Sequence, residues 1–420
     1  MTVTKPYGIS KKMVLDAYRH VKANRGAAGI DEISLKMFEA HLSSNLYKLW
    51  NRLASGSYFP PPVMQVEIAK KQGGVRVLGV PTVADRIAQA VVKARIECEL
   101  EPLFHPDSYG YRLNLSAADA VAVTRKRCWK YEWAVEFDIR RAFDELDWEL
   151  LLKAVRKHVK DRWALLYIER WLKAPFVTKA GQILSRSKGT PQGSVIGPVL
   201  MNLFMHYAFD RWMQAEYWYC PFARYADDAV VHCRSEAQAK FMLAAIEQRL
   251  KACKLAIHPQ KSGVVYCKSS TRQKNYPRTE FTFLGFTFRP RGAKNRQGQL
   301  YTGFLPAVSQ EAIKGMLREM RSWELHKQTP VSLHELAERY NPVLRGWLNY
   351  YGRFYKSAMY RVFDCFDRRL VRWARRKYRK LTRYSMRSFD WLARIMGRQP
   401  RLFDHWLAFK GHVVRTMGAV

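Results

Sequence analysis

Apolar positions along the chain first recur at helical spacing. Residues 11–55 read as two amphipathic helices, broken at Asn24-Arg25-Gly26. From Val63 the period shortens to two. Val63, Gln65-Val66-Glu67-Ile68, a Gly73-Gly74 turn and Val75-Arg76-Val77-Leu78 read as a hairpin over 62–82, which leads into a helix from Val83 to Glu101. Trp133 to Ile139 is a strand, and alternation puts Trp133, Val135, Phe137 and Ile139 on one face. Asp138 then shares the opposite, polar face with Ala134 and Glu136. Helices follow over Trp148–Val159, Arg162–Lys173, Pro198–Ala215 and Glu236–Lys254, with an extended segment at 281–288. After Leu305 the pattern is helical to the end, in long basic amphipathic stretches. No internal repeat or low-complexity segment interrupts it. Mixed α and β elements ahead of an all-α basic region predict a catalytic domain with a helical nucleic-acid-binding appendage.

Composition changes this picture mainly through charge. Lys and Arg number 72 against 36 Asp and Glu, a formal net charge of +36. Such an excess repels itself in a compact state, so a polyanionic partner is expected. No run approaches the roughly 18 apolar residues of a membrane span, and MTVTKPYGISKK has no signal-peptide core, so no membrane partner is expected. The seven cysteines include no C-x-x-C pair. That pattern disfavours a zinc module and predicts reduced thiols in a cytoplasmic protein.

The densest candidate chemistry lies at Arg224-Tyr225-Ala226-Asp227-Asp228, between Phe222 and Ala229-Val230-Val231, which reads as the tip of a β-hairpin. Adjacent carboxylates repel, and ionising both near a core is costly unless a cation is bound. Mg²⁺ suits such oxygen ligands; a solvated turn is the alternative. Asp138, far upstream on its own strand, supplies a third carboxylate. Three converging carboxylates could hold two cations about 3.5–4 Å apart, the arrangement used for in-line phosphoryl transfer. Phe143 follows in Arg-Arg-Ala-Phe-Asp, where a ring could lie under an incoming sugar or pack in the core.

Phe137-Asp138-Ile139…Phe143-Asp144, Gly189-Thr190-Pro191-Gln192-Gly193-Ser194 and Tyr225-Ala226-Asp227-Asp228 stand in the order of polymerase motifs A, B and C, and they resemble those of reverse transcriptases. The surrounding sequence resembles one branch, the group II intron-encoded reverse transcriptases, which are also splicing maturases. Gly29-Ile30-Asp31, Leu78-Gly79-Val80-Pro81-Thr82 with Asp85-Arg86, Ser108-Tyr109-Gly110-Tyr111-Arg112 and Phe283-Leu284-Gly285-Phe286 carry that likeness, with Arg345-Gly346-Trp347-Leu348-Asn349-Tyr350-Tyr351 matching the thumb or maturase signature.

The resemblance implies an α+β right-hand polymerase: fingers and palm with an antiparallel palm sheet, then an all-α thumb/maturase region. It places an N-terminal extension and the start of the fingers at 1–60, fingers and palm at 61–304, the thumb/maturase domain at 305–383 and a basic DNA- or RNA-binding region at 384–420. By this likeness Asp138, Asp227 and Asp228 hold two Mg²⁺ ions, for which Mn²⁺ can substitute, with the Ile139 carbonyl as a further ligand. Lys261 is the proposed proton donor to pyrophosphate. Lys70 and Arg76 hold the triphosphate, Gln192-Gly193 lie against the nascent base pair, and Phe143 selects deoxynucleotides. Arg112 is a candidate template contact. Phe283–Phe286 resembles the primer-grip hairpin.

The stretch 361–383 holds ten Lys or Arg against two Asp, interleaved with aromatic residues, which favours a phosphate-facing surface over a merely solvated face. Arg345, Arg372, Arg375, Arg376 and Lys377 are its candidate contacts. The expected activity is RNA-directed DNA synthesis from dNTPs on intron RNA, with RNA template, DNA primer and target DNA as partners, together with splicing assistance. No His- and Cys-rich nuclease extension is expected, and DNA engagement implies association with a bacterial nucleoid. A splicing-only cofactor and a stand-alone reverse transcriptase in defence or repair are the alternatives. An RNA-directed RNA polymerase fits less well, given Ala226 and the aromatic at 143.

Overall fold

The computed structural model describes residues 5–69, 75–295 and 297–409. Three helices open the chain: α1 (Lys11–Asn24), α2 (Leu35–Ala40) and α3 (Leu42–Ser55). Strands β1 (Val63–Ala69) and β2 (Val75–Val80) lead to α4 (Val83–Leu100), and α5 (Ala117–Lys130) precedes β3 (Trp133–Asp138). Then come α6 (Ala142–Glu145), α7 (Trp148–His158), α8 (Arg162–Lys173), β4 (Phe176–Val177), β5 (Ile183–Leu184) and α9 (Gly197–Met205). A π-helical turn (His206–Asp210) joins α9 to α10 (Arg211–Glu216), followed by the β6 (Phe222–Tyr225) and β7 (Asp228–Cys233) hairpin, α11 (Glu236–Ala252) and β8 (Gly263–Tyr266). The remainder holds β9 (Phe281–Phe283), β10 (Phe286–Lys294), β11 (Leu300–Val308), α12 (Gln310–Ser322), α13 (Leu333–Tyr351), α14 (Tyr360–Lys377), α15 (Ser385–Arg398) and α16 (Asp404–Ala408).

Helix starts are set by side chains that accept an N–H left unpaired in the first turn. Ser10 accepts from Met13, Thr82 from Asp85, Asp147 from Leu150, Ser235 from Gln238 and Ser309 from Ala312. Ser332 and Glu335 cap α13 reciprocally. Strands order as β2-β1-β4-β5, β6-β7-β3-β8 and β11-β10-β9 in three sheets. Pairing is antiparallel in β1–β2 and β6–β7 and parallel in β1–β4.

The chain divides into two compact units, residues 1–120 with 135–264, and residues 121–134 with those from 265 on. In the first, the buried rings of Phe137 and Phe209 pack edge to face at 5.2 Å, and Tyr167 donates to the Leu53 carbonyl at 2.6 Å. Asp85 is buried there, and burial lifts its carboxyl above its ordinary value, partly offset by donors from Tyr58, Trp171 and Gln89. In the second, Leu336, Leu344, Val362, Phe363, Phe366 and Trp373 form the heart of an apolar cluster. Within that cluster buried Asp367 takes His405 Nε2 and Trp406 Nε1 at 3.0 Å each. None of the described helices is long and apolar enough to cross a membrane.

Four expectations from the periodicity change. The segment 11–55 holds three helices, because His41 leaves helical geometry between α2 and α3. The helix expected over Pro198–Ala215 is interrupted by the π turn. Strand geometry persists to Val308, beyond Leu305, because β11 pairs with β10 up to Phe286↔Val308. The face of β3 expected to be polar is covered too: Ala134 is fully buried and Glu136 is 8% exposed.

The π turn buries His206, whose Nδ1 has no hydrogen-bond partner. Burial pushes this imidazole down to about 4, with Asp210 pulling upward and Arg211 downward. An unfolded histidine titrates near 6.5, so the unfolded state takes up the proton first. The stabilising contribution is complete above that value and is lost as pH falls from about 6.5 to about 4, by about 3 kcal/mol in all. Urea unfolding of wild type and His206→Gln across this window should show a smaller acid loss in the variant by that order. Equal losses would assign the titration to other groups.

Candidate active site

The site is built around a two-residue hairpin turn. Tyr225 pairs with Asp228, so Ala226 and Asp227 form the turn between β6 and β7. Ala226 has φ +58°, a left-handed conformation that costs a non-glycine residue of order 1 kcal/mol and persists only where neighbours impose it. Arg224 imposes it. Its Nη1 donates to the Ala226 carbonyl at 2.9 Å, while Nε and Nη2 grip the two Asp210 carboxylate oxygens at 2.7 and 2.6 Å. Nη2 also reaches Ser108 Oγ at 2.7 Å, and both Arg224 and Asp210 are fully buried.

The loop 107–111 lies against this turn. The Tyr109 N–H donates to the Arg224 carbonyl at 2.8 Å, and the Arg224 N–H to that of Asp107 at 2.9 Å. Asn202 Nδ2 donates to the Gly110 carbonyl at 2.7 Å. A Cβ on Gly110 would stand 2.5 Å from the Ala226 nitrogen, so only glycine allows this approach.

Asp138 ends β3 beside the turn. The Ile139 N–H donates to the Asp227 carbonyl at 3.3 Å, and the segment after α11 docks alongside through Arg140 N–H to Ala256 and His258 N–H to Asp138 at 2.8 and 2.7 Å. The N–H and C=O of one extended residue point to the same edge, so the Ile139 carbonyl faces the Asp227 turn. Lys261 Nζ lies 3.0 Å from Asp138 Oδ2. Burial lifts the Asp227 carboxyl above its ordinary value; a backbone hydrogen bond opposes this, the Asp138 charge adds to it, and Arg76 and Lys261 pull it back.

The structure thus brings Asp138, Ile139, Asp227 and Lys261 together, with Asp228 next in sequence as the first residue of β7. Among the described residues no three His, Cys, Asp or Glu side chains gather closely enough to hold an ion. The donor set is therefore two carboxylates and a backbone carbonyl, hard oxygens that fit Mg²⁺.

A second constellation adjoins β2. Arg76 Nε donates to Gln192 Oε1 at 2.7 Å, and Gln192 Nε2 donates to the Asp144 carboxylate at 3.1 Å. Burial holds the Asp144 carboxyl above its ordinary value, opposed by Gln192. The Gly79 N–H donates to the Gln192 carbonyl at 2.8 Å, and Gly193, at φ +117°, leaves no room for a Cβ, which would stand 2.4 Å from the Gly79 oxygen. Thr190 N–H donates to the Phe143 carbonyl at 2.8 Å, with the Phe143 ring half-buried. Gln89 on α4 fixes the other end of the segment, accepting from Ser194 Oγ at 2.9 Å and from the Val195 N–H at 2.8 Å. Lys70 lies outside the described residues.

The candidate nucleic-acid contacts divide by what their donors already hold. Arg112 is turned inward onto Glu101 and the carbonyls of His105 and Ser108. Arg345 pairs with Asp404 at 2.8 Å, Arg375 donates to the Thr382 carbonyl at 3.0 Å, and Lys377 Nζ donates to the carbonyls of Thr329 and Val331 at 2.9 Å each. Arg372 and Arg376 are exposed on α14.

Sequence reasoning did not single out Asp144, Asp210, Asn202 or Gly110 as parts of the site. Asp144 had a signal, standing beside Phe143 in the same motif. Asp210 had none, because a π turn leaves no periodic mark.

An antiparallel β6–β7 hairpin with Asp227 at its turn thus lies beside Asp138 at the end of β3, with Arg76 on β2 acting on the same carboxyl. Residues 68–288 match the family model for reverse transcriptase (RNA-dependent DNA polymerase), and residues 313–391 match that for the group II intron, maturase-specific domain. The chain belongs to the reverse transcriptase family. It is 32% identical over 209 residues to protein YkfC of Escherichia coli, a match covering 48% of this chain and 54% of that protein. It is also 32% identical over 193 residues to the group II intron-encoded protein LtrA of Lactococcus lactis, covering 45% of this chain and 32% of LtrA. The chain thus spans about half or less of the curated relatives it matches. A solved telomerase from Candida albicans, in complex with a fragment of telomeric RNA, aligns over 92% of this chain and 68% of its own at TM-score 0.48 and 11% identity.

Removing the Asp210 carboxylate would strand a buried guanidinium. Asp210→Ala should lower unfolding free energy by about 3–5 kcal/mol in urea titrations, the usual cost of breaking a buried pair. A loss below about 1 kcal/mol would show that the pair does not hold the hairpin.

Proposed function

We propose that this chain is an RNA-directed DNA polymerase that extends a DNA primer on RNA, and that it binds group II intron RNA to assist splicing and retrohoming. The observation that carries the polymerase reading is the meeting of Asp138, Asp227 and Lys261 at a strained, fully supported turn. The match of 313–391 to the maturase-specific domain supports the intron reading. We assign 61–304 to fingers and palm, 305–383 to thumb and maturase, and 384–420 to basic DNA or RNA binding, after an N-terminal extension over 1–60. Cytoplasmic location, on the nucleoid when DNA is bound, goes with this reading.

Two Mg²⁺ ions, replaceable by Mn²⁺, would supply Lewis-acid activation of the primer hydroxyl and charge relief at the leaving pyrophosphate. Asp138, Asp227 and the Ile139 carbonyl, already gathered, would hold them, with Asp228 completing the set as the ions enter. Arg76, with Lys70, clamps the dNTP triphosphate: a planar fork and a point charge suit anionic oxygens. In the structure Arg76 is held by Gln192, so the incoming nucleotide exchanges one anchored partner for another. Gln192 and Gly193 then border the nascent base pair, where the Cβ-free glycine lets the backbone approach closely. Phe143 stands on α6, five residues beyond Asp138, where its ring can exclude a 2′-hydroxyl. Lys261 is positioned to give a proton to pyrophosphate.

Asp227→Ala should abolish primer extension while leaving intron-RNA binding tight; extension near the wild-type rate would remove the metal-site assignment. Phe143→Ala should admit ribonucleotides in single-nucleotide incorporation assays, and unchanged sugar selectivity would return the ring to core packing.

A further inference from the structure

We propose that the cleft formed by the end of α14, the 3₁₀ turn after it and α15 seats one unpaired nucleotide of a single-stranded nucleic acid. The proposal deepens, and rests on, the nucleic-acid-binding reading. The cleft has a volume of about 850 Å³ and is open to solvent along one side, so a strand can pass over it. Tyr378 and Trp391 present their rings in it with centroids 5.6 Å apart at 51°, so neither ring closes the face of the other. Tyr378 is 38% exposed, although it follows the fully buried Trp373 turn of α14.

Around these rings stand Arg379, Lys380, Arg387 and Arg394, all exposed. Arg387 lies over the Tyr384 ring at 4.2 Å, and Arg394 Nε donates weakly to the Asp390 carbonyl at 3.4 Å. Lys377 is excluded as a ligand group, since its ammonium is spent on the carbonyls of Thr329 and Val331. Four cations around one concavity repel each other unless an anion enters. The lone acid of the lining, Asp390, is an acceptor only, so it repels phosphate and favours the amino edge of a base. These opposed polarities orient the occupant: phosphate toward Arg379 and Lys380, base against Trp391. A duplex offers no free base face, so the cleft selects unpaired strands.

The test is fluorescence anisotropy of the full chain with labelled single strands of about ten nucleotides, in RNA and DNA forms, against a blunt duplex of the same composition. Trp391→Ala should weaken single-strand binding about tenfold, as expected for loss of one stacked base, and leave duplex binding unchanged. Trp391→Phe should stay within about threefold of wild type. The exposed pair Arg379→Ala with Lys380→Ala, which does not depend on core packing, should flatten the single-strand salt slope by about 1.4, roughly 0.7 per phosphate. Losses in RNA alone, or in RNA and DNA alike, support the site and identify its occupant. Equal losses on duplex and single strand, equal effects of the Ala and Phe changes, or an unaltered salt slope would overturn it. Because Asp227→Ala removes extension without touching this cleft, failure of the polymerase reading is read separately.

Discussion

A guanidinium with no solvent-exposed surface organises the catalytic unit. Arg224 meets both oxygens of Asp210, and the bare charge of either partner in that interior would cost several kcal/mol. The pair must therefore stay closed, and everything Arg224 touches becomes fixed with it: the Ala226 carbonyl, Ser108 Oγ and Asn202 Oδ1. Asn202 in turn holds Gly110. Hydrogen bonds thus tie turn, loop and helix α9 together around the left-handed Ala226. Asp227 takes its position from that turn, and a backbone hydrogen bond to its carboxyl adds to the hold.

The same constraint explains the chemistry. A carboxylate that burial pushes toward its neutral form binds a proton or a cation more readily than a solvated one. Asp138 adds repulsion, while Arg76 and Lys261 offset it. Gln192 extends this logic, spending its two ends on Arg76 and Asp144 and so bridging an exposed cation and an exposed acid.

Much of this was legible in the chain. Period-two alternation found β1, β2 and β3, and the ordered motifs named Asp138, Asp227, Gln192 and Gly193, while the expected Gly73-Gly74 turn lies outside the described residues. Positions set by tertiary context escaped. One extra residue in the helical turn at His206–Asp210 rotates the next helix, α10, and it brings Asp210 to Arg224 with no trace in the hydrophobic period. The polar face assigned to β3 failed for a related reason, since alternation marks a half-exposed strand and this one is covered on both sides. Arg112 stands in a motif that suggests template contact, yet it spends its donors on Glu101 and two carbonyls, because a planar fork is as useful for tying loops as for gripping phosphate.

That distinction governs how a net charge of +36 translates into binding. Counterion release depends on cations that reach phosphates, and a side chain already holding a carbonyl or a carboxylate must first give that partner up. On α14 and beyond, Lys377 secures the 329–331 segment, Arg375 holds Thr382 and Arg345 answers Asp404, all contacts internal to the second unit. Facing solvent instead are Arg372 and Arg376 on one stretch of helix, and Arg379 and Lys380 in the turn after it. The basic stretch therefore works in two parts. Its inward members build the helical scaffold, and its outward members, of which Arg379 and Lys380 line the cleft with Tyr378 and Trp391, stay exposed to solvent. Composition alone counts both equally, whereas a cation without an internal partner meets a phosphate at no cost in broken contacts.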